Sequence, residues 1–343
     1  MEIKEIGFGI IGCGMISNWH AEAISKVQGA RLAAVTDVYE KSRNDFAEKF
    51  HTSAENSVDE LLARKDIDII CICTPSGLHA PLAVQAANAG KNIIVEKPMA
   101  LNLKEADEVI EACKSNQVKM AVISQLRFTK AIQKLKGAVD GGLLGKLITG
   151  DIYMKFYRSQ EYYNKGGWRG TWKMDGGGAL MNQGIHGIDL LQYVMGSVKS
   201  VFAYTRTLAR KIEVEDTAVA VLEFENGALG VIEGTTSIYP GLPRRLEING
   251  DKGTIIVEED SITNWDIEGM ERPVDVVLER TTSGAASNPA AFSLDGHILQ
   301  IGDMVEAVRN NREPMVNQYD GKKPVEIIMA IYESSRTGKP VNL

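Results

Sequence analysis

The residues Glu96-Lys97-Pro98 place a cation at the end of an apolar run, where a lysine can perform acid-base chemistry. The preceding Ile93-Ile94-Val95 has the length and the β-branched side chains of a buried strand. Proline restricts the backbone of the residue before it and readily permits a cis peptide bond, so we expect a special geometry at Lys97. The alternative for Lys97 is a solvated strand end.

A glycine turn follows the first apolar run, in the stretch GIIGCGMIS from Gly9 to Ser17. Gly12 allows a tight turn, and Gly14 lets the backbone approach a pyrophosphate. The free N–H groups at the start of the next helix, at Met15 and Ile16, are expected to hold that pyrophosphate. Ser17 replaces the third glycine of the dinucleotide fingerprint and is small enough to keep the helix close.

Asp37 ends the second predicted strand, about 20 residues after the glycines, where a carboxylate accepts hydrogen bonds from the ribose hydroxyls of NAD. The alternative for Asp37 is a helix N-cap or a turn residue. Because the glycine turn and the carboxylate occur together, the sequence predicts NAD as the cofactor, in preference to NADP.

The segment CTPSGLH, Cys73–His79, follows another predicted strand and lies at the sheet edge where ligands bind. Its candidates for cofactor contact are Thr74 and Pro75 by packing, and Ser76 and His79 through the ribose. A capping role for Ser76 and a surface role for His79 remain alternatives. Glu96 and Lys97 end a strand at the same edge, so Lys97 is expected beside the nicotinamide.

Strands alternate with helical patterns up to about Ser124, which predicts an α/β fold with a parallel, doubly wound sheet. After Gly150 the chain changes to longer alternating segments such as TAVAVLEFENGALGVIEGTTS, typical of antiparallel strands joined by tight turns. We therefore predict an NAD-binding domain at residues 1–124 and a substrate-binding and oligomerisation domain at residues 125–343.

Charge and cysteine usage exclude several classes of protein. The formal charge of −7 and the pI near 5.4 argue against nucleic-acid or anionic-membrane partners. Neither a secretory signal pattern nor a membrane-length apolar run is evident, so a cytoplasmic protein is expected. The four cysteines lack metal-ligand spacing and are expected to be core thiols, with no metal site: Cys13, Cys71, Cys73 and Cys113.

These motifs, with GKNIIVEKPMALN and the later GGGALMNQGIHGIDLL, resemble the Gfo/Idh/MocA family of glucose-fructose oxidoreductase and inositol dehydrogenase. The resemblance spans nearly the whole chain, and its Glu-Lys-Pro and Gly-Gly-Gly…His-x-x-Asp elements are far more specific than a glycine turn. It implies an N-terminal Rossmann domain and a C-terminal α/β domain with a large, mainly antiparallel open sheet, commonly assembled into homodimers or homotetramers. It also implies hydride transfer between a sugar or polyol carbon and nicotinamide.

The resemblance assigns catalytic roles to two residues. Lys97 matches the lysine that hydrogen-bonds the reacting oxygen, and His186 matches a candidate general base; the alternative for His186 is a core histidine bonded to backbone. Asn182 stands where inositol dehydrogenases have an aspartate, one helical turn before His186. Asparagine cannot take a proton, so an Asp-His relay is not expected here. Asp189 is interpreted as structural.

The stretch YYNKGGWRGTWKMDGGGALMNQGIHGI is similar to the sugar-nucleotide branch of the family, whose members oxidise the third carbon of UDP-N-acetylglucosaminuronate. Arginines and aromatic side chains of this kind bind anions and stack on sugars. The predicted substrate-binding residues are Lys97, Arg127, Tyr163, Trp168, Arg169, Trp172, Asn182 and His186, with Lys173 as a further source of positive charge. The alternative for each aromatic or arginine is helix packing or solvation.

The sequence therefore predicts an NAD-dependent sugar or sugar-nucleotide dehydrogenase with a small-molecule substrate. Three alternatives stay open. They are a dehydrogenase for a neutral sugar, glycoside or inositol; an NAD-dependent glycosidase that oxidises its substrate transiently; and a non-catalytic NAD- or sugar-sensing regulator. Net NADH formation separates the first two, and retention of Lys97 and His186 counts against the third.

NAD should bind more tightly than NADP, because Asp37 repels a 2′-phosphate and accepts bonds from a free ribose diol. The nearest downstream cation, Lys41, lies four residues further on. Titration of the protein with both cofactors measures the preference. Tighter binding of NADP would refute the role given to Asp37.

Overall fold

The computed structural model describes residues 5–165, 167–276 and 293–343. The chain divides into two compact units, Met1–Gln125 with Ser293–Lys322, and Leu126–Phe292 with Lys323–Leu343. The end of the first segment lies one residue from the predicted boundary. The predicted second domain, 125–343, needs a correction, because Ser293–Lys322 belongs to the first unit.

The first unit begins with alternating strands and helices. Its strands are β1 (Ile6–Ile11), β2 (Ala30–Thr36), β3 (Ser53–Ala54), β4 (Ile69–Ile72), β5 (Asn92–Val95) and β6 (Met120–Val122). Its helices up to β6 are α1 (Met15–Lys26), α2 (Glu40–Lys49), α3 (Val58–Ala63), α4 (His79–Asn88) and α5 (Leu103–Ser115). The strands form one parallel sheet in the order β3-β2-β1-β4-β5-β6, the doubly wound arrangement expected of a Rossmann domain.

Burial explains why these strands are apolar throughout. Every residue of β1 and β4 is buried, as expected where helices cover both faces of a parallel sheet. Because all strands run in one direction, the segments that follow β1, β2, β4 and β5 meet at one edge. That edge carries the glycine turn, Asp37, the Cys73–His79 segment and Glu96.

The second unit is built on a mixed sheet. Its strands are β7 (Leu147–Lys155), β8 (Val198–Arg206), β9 (Thr217–Phe224), β10 (Leu229–Thr235), β11 (Arg245–Gly250), β12 (Gly253–Glu258), β13 (Ser261–Ile267) and β14 (Val341–Asn342). The helices before β8 are α6 (Lys130–Asp140), α7 (Gln160–Asn164) and α8 (Ile185–Met195), the last preceded by a π-helical turn at Ala179–Gly184. The order is β13-β12-β11-β7-β10-β9-β8-β14, and only β7 and β10 pair in parallel, which confirms the predicted, mainly antiparallel sheet.

The two faces of this sheet differ in burial. Along β9, Ala218, Ala220 and Leu222 are buried, while Val219 and Val221 are 45% and 53% exposed. Tyr204 of the neighbouring β8 is also exposed. Strict alternation is the pattern of a strand with one covered face. The uncovered face is nevertheless apolar at these positions, which is unusual for a surface in water.

Two helices close the chain, α9 (Asp295–Arg309) and α10 (Gln318–Thr337). Helix α9 packs against α1. The Gln300 amide of α9 accepts from the Ser124 N–H at 3.0 Å and donates to the Val122 carbonyl at 2.7 Å. These bonds satisfy backbone groups at the end of β6 and attach this late segment to the first unit. Within the described residues, neither of these helices nor any other is long and apolar enough to span a membrane.

The glycines before the π-helical turn are required by close packing. A Cβ at Gly178 would lie 1.8 Å from the Glu215 carbonyl oxygen, and one at Gly177 would lie 2.1 Å from the Tyr332 hydroxyl. The Glu215 carboxylate also accepts from the N–H groups of Gly178 and Leu180, both at 2.9 Å. The glycine run therefore lets the backbone lie directly against the segment that precedes β9.

Substitution of Gly178 by alanine should destabilise the protein by about 3 kcal/mol or more, because the clash is with backbone that cannot move aside. Gly137→Ala is the matched control. Gly137 lies inside α6 with nothing within 4 Å of its Cβ position, so alanine there should stabilise by about 0.5–1 kcal/mol. Urea unfolding of both variants measures the difference. Equal stability of Gly178→Ala and the wild type would contradict this packing.

Candidate active site

The glycine turn after β1 has the geometry that a dinucleotide requires. Gly12 has φ +95°, and a Cβ there would lie 2.9 Å from the Cys73 carbonyl oxygen. Gly14 caps α1, and nothing lies within 4 Å of its Cβ position, so the space for a pyrophosphate is open. The Ser17 hydroxyl is buried and donates to the Gly14 carbonyl at 2.6 Å. Serine in the third glycine position thus stabilises the turn.

Asp37 lies at the end of β2 with both carboxylate oxygens near the turn. One oxygen accepts from the Cys13 N–H at 2.7 Å, and the other accepts from the Tyr39 N–H at 2.8 Å. Asp37 therefore makes the local turn contact foreseen as its alternative role, and it also ties β2 to the glycine turn. Each oxygen has a second lone pair, so ribose binding is compatible with these bonds.

The predicted cofactor contacts in the Cys73–His79 segment differ in their burial and in their hydrogen-bond partners. The Thr74 methyl group would be 3.1 Å from a Cβ at Gly12, and the Thr74 hydroxyl is buried with no hydrogen-bond partner in the described part of the chain. Such an orphaned donor beside the glycine turn fits a bound cofactor. Pro75 is half-buried beside it and Ser76 is buried.

The prediction that His79 reaches the ribose needs a correction. His79 is buried, with Nδ1 at 2.7 Å from the Pro98 carbonyl oxygen and Nε2 at 2.9 Å from the Thr74 carbonyl oxygen. Burial lowers the pKa of His79, so the ring is neutral near pH 7. His79 therefore joins the segment after β4 to the turn after β5 and contacts a cofactor at most indirectly.

Glu96 is a buried, ionised carboxylate next to Lys97. Burial alone would raise the pKa of Glu96, but the hydrogen bond from His20 and nearby positive charge lower it to about 2. His20 Nε2 lies 2.9 Å from Glu96 Oε1, and His20 is completely buried. Lys97 is half-buried, and its peptide bond to Pro98 is cis, as the proline permits.

His297 of α9 completes a cluster with His20 and Glu96, whose potential ligand atoms all lie within 4.8 Å of one another. Burial lowers the pKa of His297 to about 4. In a tetrahedral zinc site with bonds of about 2.0–2.1 Å, ligand atoms are about 3.4 Å apart. His20 Nε2 donates to Glu96, and neither ring nitrogen of His297 has a hydrogen-bond partner within the described residues, so we interpret the cluster as a buried His–Glu hydrogen bond with His297 packed beside it and not as a metal centre.

Asn182 lies in the π-helical turn, where an α-helix was expected. Such π-turns are frequent at functional sites. Its amide donates to Asp175 Oδ1 at 2.6 Å and accepts from Gln183 Nε2 at 2.7 Å. Asp175 is buried and also accepts from the Gly170 N–H at 2.8 Å. A carboxyl group is therefore present next to Asn182, one hydrogen bond further away than an aspartate at position 182 would be.

Around Gln183 the network continues into a group of cations and aromatic rings. Gln183 donates to the Tyr162 hydroxyl at 3.0 Å and accepts from Arg158 at 2.8 Å. The Arg169 guanidinium lies 4.7 Å from the Tyr162 ring centroid and 5.2 Å from that of Trp168. These four side chains, Arg158, Tyr162, Trp168 and Arg169, are called the aromatic-arginine cluster below. Trp172 is about half exposed, with its ring 5.3 Å from that of Tyr332.

Two predicted substrate residues have other partners. Arg127 is buried and makes two hydrogen bonds to Asp189, at 2.9 and 2.6 Å, which agrees with the structural role expected for Asp189. Tyr163 is buried, and its hydroxyl pairs with Thr236 at 2.8 Å. Burial raises the pKa of Tyr163 to about 12. Both side chains stabilise the second unit, so we do not carry them into the proposed substrate site.

His186 is the second residue of α8 and is half-buried. The segment that carries it is held by Glu215, whose pKa is raised to about 7 by burial despite its backbone and Tyr332 donors. Sequence reasoning missed His20, Asp175, Glu215 and the pair Arg158 and Tyr162. Asp175 directly precedes the glycine run, which was a usable signal, whereas Glu215 is distant in sequence and gave none.

Substitution of Asn182 by aspartate should place two carboxylates in contact. Like charges at this distance raise the proton affinity of the pair in the folded state, so stability is retained at low pH and lost as the pH rises. We expect a loss of about 1–3 kcal/mol at pH 8 and little loss at pH 4.5. Asn182→Ala, which removes one donor to Asp175 without adding charge, should show a smaller pH dependence of the same sign in thermal unfolding. A pH-independent effect of aspartate would contradict the contact with Asp175.

Comparisons with known proteins agree with this arrangement. Residues 6–124 match a family model described as an oxidoreductase family with an NAD-binding Rossmann fold, and residues 132–256 match the GFO/IDH/MocA C-terminal domain. Myo-inositol 2-dehydrogenase of Thermotoga maritima is 29% identical over 345 residues, which cover 98% of each chain.

Two solved structures are similar over nearly their whole length. The WlbA dehydrogenase of Bordetella pertussis, in complex with NADH and UDP-GlcNAcA, is 34% identical with a TM-score of 0.89 and 99% coverage of both chains. The WlbA dehydrogenase of Chromobacterium violaceum, with the same ligands, is 33% identical with a TM-score of 0.90, covering 100% of this chain and 97% of that one. The chain belongs to the Gfo/Idh/MocA family of NAD-binding oxidoreductases.

Proposed function

We propose that this protein is an NAD-dependent dehydrogenase that oxidises the hydroxyl on the third carbon of a UDP-sugar uronate. The observation that carries the proposal is the aromatic-arginine cluster beside Asn182, in which the Arg169 guanidinium contacts the rings of both Tyr162 and Trp168. The likeness to dehydrogenases crystallised with NADH and UDP-GlcNAcA supports the same substrate class.

The cluster has the chemistry that such a substrate needs. Aromatic faces suit the apolar face of a sugar ring, and a guanidinium pairs with a carboxylate or a diphosphate through two parallel hydrogen bonds. Stacking on Tyr162 and Trp168 restricts the rotamers of Arg169, so less entropy is lost when an anion binds. A neutral polyol would leave this positive charge without an anionic partner.

Acid-base chemistry is assigned to Lys97 and His186. Bound NAD supplies the acceptor for the hydride that leaves the carbon. Lys97 polarises the reacting oxygen, and His186 takes the proton of the hydroxyl group. Asn182 orients the substrate through an amide that is itself fixed by Asp175 and Gln183. Trp172 is retained as a candidate for sugar stacking because about half of its surface is exposed.

A neutral polyol is the second candidate substrate. The Thermotoga maritima myo-inositol 2-dehydrogenase is 29% identical over 98% of the chain, and Asp175 places a carboxyl group in hydrogen-bond contact with Asn182. Arg169, half-buried beside two aromatic rings, is the group that favours an anion over a neutral polyol.

We also propose a homodimer or homotetramer that buries the uncovered face of the mixed sheet. That face exposes Tyr204, Val219, Val221 and Leu229, with 59% of Leu229 exposed. An apolar face of this kind on adjacent strands is typical of an interface between subunits.

The test compares kcat/KM for UDP-N-acetylglucosaminuronate, glucose and myo-inositol, with NADH formation followed by absorbance. The uronate should be preferred. Arg169→Ala should lower its kcat/KM by about 10- to 100-fold, the equivalent of one charged hydrogen bond, with little effect on myo-inositol.

Lys165→Ala removes an exposed positive charge from the same segment and is the matched control, with kcat/KM expected within about twofold of the wild type. A preference for a neutral sugar that survives the loss of Arg169 would replace the nucleotide-sugar proposal by the polyol one.

A further inference from the structure

Lys97 lies between two residues that are each held by a buried histidine. On one side, the Glu96 carboxylate is 2.9 Å from His20 Nε2. On the other side, the Pro98 carbonyl oxygen is 2.7 Å from His79 Nδ1. The two histidines come from different helices, α1 and α4. The turn is therefore fixed from two directions.

The bond from His20 also links the lysine turn to the cofactor turn. His20 lies on α1, the helix whose first residue follows Gly14. Glu96 is ionised, so it accepts a hydrogen bond from the Nε2–H group and requires that tautomer of His20. A single rigid helix thus sets the distance between the pyrophosphate-binding N–H groups and the carboxylate next to Lys97.

His79 performs the same function for the segment after β4. Its second nitrogen lies 2.9 Å from the Thr74 carbonyl oxygen. Both partners are carbonyl acceptors and a neutral ring carries one N–H, so His79 donates to one of the two carbonyls while its other nitrogen faces the second oxygen without a hydrogen bond. Because His79 is only 1% exposed, water cannot replace either contact. His79 therefore lies against both the Thr74 loop and the Pro98 turn.

We propose that His20 and His79 are positioning residues that hold Glu96 and Pro98 and thereby place the Lys97 ammonium for reaction. This inference rests on the proposed role of Lys97. A displacement of about 1 Å at a reacting group can cost about 100-fold in rate. Buried apolar side chains would fill the same volume without fixing the turn, since only a directional bond specifies the orientation of Glu96 and Pro98.

His297 is a buried neighbour of His20 and serves as the control for its removal. It packs with its ring centroid 5.8 Å from that of His20, and it is equally buried. Within the described residues, neither of its ring nitrogens has a hydrogen-bond partner. Its removal perturbs the same part of the core without breaking a bond to the lysine turn.

The experiment compares His20→Leu, His20→Gln, His79→Leu and the control His297→Leu. Both leucine variants of the proposed positioning residues should lower kcat by about 100-fold, with KM and the NAD dissociation constant changed by less than about threefold. His20→Gln retains a donor for Glu96 and should recover at least about tenfold of the loss. His297→Leu should keep kcat within about twofold.

A second measurement is independent of the substrate. Reductive methylation of Lys97 in the folded protein is followed by peptide mass spectrometry across a pH series. Its rate depends on the exposure and the protonation of the Lys97 amine. The pH profile should shift in His20→Leu and His79→Leu and stay unchanged in His297→Leu. If wild type forms no NADH with any sugar, the proposed function fails, yet the methylation profile still tests the positioning.

Two outcomes would overturn the positioning role. One is a folded His20→Leu protein with wild-type kcat and methylation profile. The other is an equal loss in His297→Leu, which would show that general damage to the core accounts for the effect. Thermal unfolding of each variant identifies a protein that has failed to fold. If His20→Leu fails to fold, kcat and the methylation profile of His20→Gln test the positioning role of His20.

Discussion

The ionised carboxylate of Glu96, buried in the first unit, constrains much of what surrounds it. A buried charge without a partner costs several kcal/mol, so the bond from His20 cannot be lost without penalty. That requirement couples α1 to the end of β5, and with them the glycine turn to Lys97. Helix α9 covers the same cluster through His297, which explains why a late segment of the chain belongs to the first unit.

In the second unit, buried carboxyl groups accept hydrogen bonds from backbone N–H groups. The segments around the glycine run and after β8 have few ladder hydrogen bonds, and their N–H groups need acceptors. Asp175, Glu215 and Asp216 supply these acceptors. Part of the acidic balance of the chain is therefore internal and structural. The π-helical turn that carries Asn182 starts where the N–H groups of Gly178 and Leu180 donate to Glu215.

Arginines show how burial decides the role of one residue type. Arg127 is committed to Asp189 inside the second unit, and Arg158 is buried with Gln183. Arg169 is half-buried and stacked on aromatic rings, which leaves it the best suited of the three to meet an anionic substrate. Sequence spacing alone does not separate these cases, since all three lie in similar mixed surroundings of aromatic and polar residues.

Local patterns in the sequence determined the alternating first unit, the mainly antiparallel sheet, the glycine turn and the positions of Asp37, Glu96 and Lys97. These features depend on residues close in the chain, where hydrophobic period and glycine placement act directly. Only the tertiary structure placed Ser293–Lys322 in the first unit and gave His79, Arg127 and Asn182 their partners. Those outcomes depend on which buried donors meet which acceptors from distant segments, and that pairing is settled only when the whole core is packed.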